Sequence, residues 1–245
     1  MILILKKNCL RLLGALQILL FMPSASQAAV IVFDRVTTVG TSVYLKVLTK
    51  GKFFAEGGKR ITFYLEGQQL GKTLTGGDGY GFLKITPARK GMKEIEVHTE
   101  KDRGNGHLLV LNRDEKVIVI EIEGSLKTSL YTESIRAEIR KTVKALSRSY
   151  KIIYLSRFLG FNISKTWLQN EKLPVSAVLP WHGSDTLEDL KENGIHLWVF
   201  IGSAALISTS SDYFEKSYTF EETEKGKKLE NWSEVENLLL KQEKN

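Results

Sequence analysis

Two glutamates two residues apart, Glu121 and Glu123, follow the apolar run VIVI at 117–120 and lead straight into Gly124 and Ser125. Carboxylates at that spacing behind a buried strand, with a glycine turn next, can work as an acid and base pair or hold a metal. Two further apolar runs end in similar chemistry. IIYL at 152–155 delivers Ser156 and Arg157, and HLWVFI at 196–201 delivers Gly202 and Ser203. A hydroxyl can donate to an anion and a guanidinium can clamp one. Gly124, Ser125, Ser156, Arg157 and Ser203 are therefore candidate ligand-binding residues beside Glu121 and Glu123. Two carboxylates solvated at a sheet rim are the simpler alternative, and both readings stand at this point.

The elements that must position these residues alternate strand and helix. VIVI reads as a strand buried on both faces. The stretch 133–148 puts Ile135, Ile139, Val143 and Leu146 on one stripe, with Thr132 as cap and Glu133 in the first turn, and predicts an amphipathic helix. Shorter helices are expected around 165–169 and 187–193, a strand near 218–220 and a helix over 232–240. Residues 116–245 thus read as an α/β domain with a largely parallel sheet, whose ligands would sit beyond the carboxyl ends of its strands.

Residues 29–115 have a different texture. Short β-rich runs (VIVF, VYLKVL, ITFYL, GFLKI, IEV, LLVL) recur with glycine-rich breaks and no helical period, which predicts a small antiparallel sandwich. Gly57-Gly58, Gly76-Gly77-Asp78-Gly79 and Gly104-Asn105-Gly106 are expected to supply positive φ where hairpins reverse. Asp78 is expected to bond its own turn rather than a calcium ion. The boundary near 113–116 leaves almost no linker, so the two halves are expected to touch.

VIVIEIEGSL, KIIYLSR and LWVFIGS, in that order and spacing, resemble the strand-end motifs of the haloacid dehalogenase (HAD) superfamily. KTWL with LP and VLP, over 165–180, is similar to the lipin-like branch, which has little or no cap. The resemblance implies a Rossmann-like α/β fold over 116–245. It also implies phosphoryl transfer by an Asp-x-Asp pair aided by Mg²⁺. Here that pair is Glu121 and Glu123, each with an extra methylene that displaces its carboxylate by about 1 to 1.5 Å, an error that can cost on the order of 10²-fold in an aligned reaction. Ser125 stands for the family threonine and Ser156 for the hydroxyl that bonds a phosphoryl oxygen. Ser203 and Ile207 stand where acidic metal ligands are expected, and Lys191 falls late for the family lysine. The resemblance therefore implies a non-catalytic domain that binds a protein partner or a phosphorylated ligand, with no cofactor. The alternative is a Mg²⁺-dependent phosphatase with Glu121 as nucleophile, Glu123 as acid/base and Ser156 on the phosphoryl group. A structural or adhesive surface protein is the third class. ITFYLEGQQLG followed by TLTGGDGYGFLKITP resembles bacterial Ig-like domains, which implies attachment or spacing for residues 29–115.

The opening 28 residues carry Lys6, Lys7 and Arg11, an apolar run and Pro23 before small residues, which reads as a signal peptide cleaved after Ala28, the alternative being a retained membrane anchor, for which the apolar run is short. Export to the periplasm or cell exterior is the expectation. Without those three cations the formal charge falls from +7 to +4. The one cysteine, Cys9, leaves with the leader, so disulfides, thiolate zinc sites and a cysteine nucleophile are excluded from the mature chain. His98, His107, His182 and His196 are scattered without ligand spacing. No lysine or arginine run is interleaved with aromatics along the chain, so no nucleic-acid partner is expected, and a membrane surface has no specific signal.

Overall fold

The computed structural model describes residues 29–52, 54–113, 115–127 and 134–241. The expected signal peptide lies outside the described residues. Among them, no helix is long and apolar enough to cross a membrane.

Residues 29–111 form eight strands in two facing sheets. They are β1 (Ala29–Phe33), β2 (Arg35–Thr38), β3 (Val43–Lys50), β4 (Arg60–Leu65), β5 (Gln68–Leu74), β6 (Tyr80–Ile85), β7 (Gly91–His98) and β8 (Arg103–Leu111). One sheet has the order β1-β3-β6 and the other β2-β8-β7-β4-β5. Between them Val32, Leu45, Val47, Ile61, Phe63, Ile95, Val97, Leu108 and Val110 are buried as one cluster. The half is a β-sandwich, as the alternating runs predict.

It is not purely antiparallel. The chain leaves β1, which pairs antiparallel with β3, and within one residue enters β2, which pairs parallel with β8. Asp34 is the residue at which it changes sheets. The glycine expectation also divides. Gly58 and Gly79 do adopt positive φ, of 70° and 78°. Gly104 and Gly106 instead lie inside β8, paired with Val97 and Ile95. A Cβ on Gly104 would stand 2.2 Å from the Val30 carbonyl oxygen, and one on Gly106 would stand 2.7 Å from Val32 Cγ1. These two glycines let β1 cross closely over β8 and reverse nothing. Asp78 bonds its own turn, accepting from the Tyr80 N–H at 3.0 Å.

The second half carries β9 (Lys116–Glu121), α1 (Ala137–Ser149), β10 (Lys151–Ser156), α2 (Phe161–Asn170), β11 (Val178–Pro180) and α3 (Ser184–Glu192), then β12 (His196–Ile201), α4 (Ala204–Ser210), β13 (Lys216–Thr219), β14 (Lys227–Lys228) and α5 (Trp232–Glu236). All five pairings in its sheet are parallel, in the order β11-β10-β9-β12-β13-β14. The chain builds outward from β9 on one side, then returns to build on the other. The crevice at such a reversal, beyond the carboxyl ends, is where ligands bind in open α/β sheets.

Alternation along β9 explains its uninterrupted apolar run. Ile118 and Ile120 pack with Ile139, Val143 and Leu146 of α1 and with Trp232 and Val235 of α5. Val117 and Val119 pack with Leu187 and Leu190 of α3 and with Leu206 and Ile207 of α4. Both faces are covered, so both sets are apolar.

Helix bounds shift from expectation. α1 starts at Ala137, and the expected cap Thr132 with Glu133 lies outside the described residues. α2 is longer than expected and starts at Phe161, behind Gly160 at φ 79°. The expected helix over 232–240 is α only to Glu236 and continues as a π turn, Asn237–Lys241.

The two halves share packing, as the absent linker predicts. Val36, Leu109 and Leu111 of the sandwich belong to the cluster around α3 and α4. Arg35 pairs with Asp189 at 3.1 Å, and Thr38 Oγ1 donates to the Asn193 carbonyl at 2.9 Å. Asp34, with a fully buried side chain, accepts from the N–H groups of His107 (2.7 Å) and Val178 (2.9 Å) and from Lys165 Nζ (2.9 Å).

Candidate functional site

β9, β10 and β12 are adjacent in the sheet and end at the same edge, so Glu121, Ser156 and Gly202-Ser203 converge there. Immediately after Glu121 the chain makes a π turn over Ile122–Leu126, which carries Glu123, Gly124 and Ser125. The turn sends the two glutamates to different environments.

Glu121 is 1% exposed and is not solvated at a rim. Its Oε2 accepts the Ser203 N–H at 2.6 Å. A Cβ on Gly124 would lie 2.2 Å from that oxygen, and one on Gly202 would lie 3.0 Å away, so the carboxylate sits in a sleeve only glycines leave open. Burial pushes the Glu121 carboxyl above the ordinary 4.5, and repulsion from Glu123 adds to the rise. Hydrogen bonds from the Ser203 backbone and side chain, and the Arg157 charge, oppose it.

A carboxyl whose folded pKa is raised contributes stability that is fully present below the unfolded pKa and lost as pH rises through the folded one. Glu121→Gln mimics the protonated form. It is therefore expected to match the parent near pH 4 and to exceed it near pH 8, as read from denaturation midpoints across that range of about pH 4 to 8. A parent stability that does not fall relative to Glu121→Gln over the window contradicts this reading.

Glu123 reaches across to the loop after β10. Its Oε1 accepts from Ser156 Oγ (3.1 Å), from the Phe158 N–H (2.9 Å) and from the Leu159 N–H (2.9 Å), while the Arg157 N–H lies 3.1 Å from both carboxylate oxygens. Successive backbone N–H groups turned to one point form an anion-binding concavity. Here the anion is the chain's own side chain. Ser156, a candidate for holding a ligand, is committed to Glu123 and to Ser164 Oγ at 2.7 Å. Ser164 is fully buried on α2, and local pattern does not reveal it because its partner Ser156 ends β10 eight residues upstream, with an irregular loop between them.

The remaining candidates are likewise engaged. Ser125 Oγ donates to the Glu121 carbonyl at 2.5 Å, and the Ser125 carbonyl accepts from Trp232 Nε1 at 3.3 Å. Ser203 Oγ caps α4 by accepting the Leu206 N–H at 3.4 Å. Gly124 is the close-packing residue against Glu121. Arg157 uses its backbone on Glu123, while its exposed guanidinium lies 4.5 Å from the Phe158 ring centre. Ile207, where the resemblance expects an acid, is fully buried in the α3/α4 cluster.

The donor set does not fit Mg²⁺. One carboxylate is sleeved by glycines and a backbone N–H, the other is turned into the loop, and Ser203 and Ile207 supply no acidic oxygen. Among the described residues, no three His, Cys, Asp or Glu side chains come together as a candidate metal site. Beside the π turn lies a cavity of about 240 Å³, lined by Glu123, Ser125, Lys127, Arg136, Phe220 and Trp232 among others.

No protein-family model matches the chain, and no curated protein matches it. Solved structures overlie part of it. The CARDB domain of a Pyrococcus furiosus protein is 15% identical and covers 34% of this chain and 93% of that one, with a TM-score of 0.28. The D00-D0 domain of intimin is 12% identical over 38% of this chain and 52% of that one, with a TM-score of 0.29. The M1 domain from titin is 14% identical over 36% of this chain and 96% of that one, with a TM-score of 0.27.

Proposed function

We propose that the chain is an exported, non-catalytic binding protein, in which an Ig-like β-sandwich is joined to a HAD-like α/β scaffold whose phosphoryl-transfer site is closed from within. The observation that carries the reading is the Glu123 carboxylate seated on Ser156 Oγ and the N–H groups of Arg157, Phe158 and Leu159. Those donors are the ones an incoming phosphoryl group would need. Catalysis by preorganised donors requires them to be free where charge develops.

The nucleophile position supports the same reading. Glu121 is held at the Ser203 N–H behind Gly124 and Gly202, with its ionised form disfavoured by burial. A carboxyl held in a buried sleeve is poorly placed to attack a phosphoryl group. The all-parallel sheet with helices on both faces is compatible with the Rossmann-like α/β fold the resemblance implies. Export rests on the 28-residue leader.

The test is Mg²⁺-dependent phosphate release by the purified protein from small phosphate esters and from a phosphatidic acid dispersion, with Glu121→Gln as control. No release above the control is expected. Turnover abolished by Glu121→Gln would make Glu121 a nucleophile and the protein a phosphatase.

A further inference from the structure

The outer face of the β1-β3-β6 sheet brings together aromatics and lysines that are far apart in sequence. Side chains alternate across a strand, so Tyr44, Lys46 and Leu48 of β3 share one face. In register beside them stand Lys84, Phe82 and Tyr80 of β6, and Phe33 of β1 lies opposite Lys46. Each lysine is flanked by rings. Lys84 Nζ lies 5.8 Å from the Tyr44 ring centre, and Lys46 Nζ lies 4.5 Å from that of Tyr80 and 5.1 Å from that of Phe33.

The β1 end of this face is covered, with Phe33 meeting Phe161 of α2 at 5.6 Å between ring centres. The rest is open. Tyr44 is 54% and Phe82 49% exposed, more than a sheet face that merely packs its own rings would leave bare.

The charges set the partner. Neither Lys46 nor Lys84 has a carboxylate within ion-pair distance among the described residues, whereas the nearby Arg35 and Lys165 are paired with Asp189 and Asp34. Burial, with the Arg35 charge, pushes the Lys46 ammonium below its ordinary value, against the pull of Asp78. Two free ammoniums among four rings make a sparse cationic surface. A nucleic acid carries a charge on every nucleotide and is held by many cations, and phosphate is best met by bidentate arginine. This face has neither feature.

We propose that this face binds an acidic polysaccharide, with sugar rings lying against Tyr44, Tyr80 and Phe82 and carboxylates meeting Lys46 and Lys84. The proposal is independent of the closed α/β site and stands or falls separately from it.

The test is a titration of the purified protein with polygalacturonate, neutral dextran and oligo(dT), each at low and at physiological ionic strength. Polygalacturonate is expected to bind in a salt-sensitive way and dextran much more weakly. The pairs Tyr44→Ala/Phe82→Ala and Lys46→Gln/Lys84→Gln should each weaken binding about tenfold or more, with unchanged thermal melts. The proposal is overturned by absent polygalacturonate binding, by binding that either pair leaves intact, or by tighter binding of oligo(dT). A dimer that buries this face and dissolves in Tyr44→Ala/Phe82→Ala, without polysaccharide binding, would assign it to self-association instead.

Discussion

Asp34→Ala is expected to destabilise the protein by about 3–5 kcal/mol, because removing one partner of a buried pair leaves the other charge uncompensated. The side chain of Asp34 is wholly buried and that of Lys165 is only 15% exposed. The same substitution strands the N–H groups of His107 and Val178, one in each half of the molecule. The loss should appear in urea as a lower midpoint with an unchanged slope. Lys165→Met removes the stranded cation, so the double variant should be less destabilised than the sum of the two singles. A loss below about 1 kcal/mol for Asp34→Ala would mean that the Asp34 cluster contributes little to holding the two halves together. The lock also reaches the site, since Lys165 is adjacent on α2 to Ser164, which supports Ser156.

Glu123→Ala has the second large effect, and it divides into a loss and a gain. Four donors lose a carboxylate, at about 1–3 kcal/mol in total rather than per bond, because the loop is open enough for water to replace part of what is lost. Phe158, for example, is 64% exposed. Glu123→Gln keeps one acceptor oxygen but turns an amide N–H₂ toward N–H donors, and should fall between the parent and Glu123→Ala in denaturation midpoint. The gain is an emptied anion nest.

How much of this was legible depended on where each partner lay. VIVI, IIYL and HLWVFI announced β9, β10 and β12 because strands covered on both faces have no polar alternation. β5, QQLGKTL, is mostly exposed and carries no such pattern, and β2, RVTT, is four residues long, so neither was visible. Gly104 and Gly106 were misread because a positive φ and a close backbone approach select the same residue, and only the strand crossing above them tells the two apart. The convergence of Glu121, Ser156 and Ser203 followed from strand ends alone. The fate of Glu123 did not, because its acceptor role depends on N–H groups more than thirty residues downstream, in a loop that local pattern does not shape. Asp34 was invisible for the same reason, since Lys165 and Val178 stand more than 130 residues away.

The claim that the site is closed by its own carboxylate is tested most directly by titrating inorganic phosphate into the parent protein and into Glu123→Ala while following thermal stability. A ligand that binds only the native state raises its stability by mass action. The account predicts a phosphate-dependent rise in melting temperature for Glu123→Ala and none for the parent. A parent that responds to phosphate as strongly as Glu123→Ala would show that the nest is open, and would contradict it.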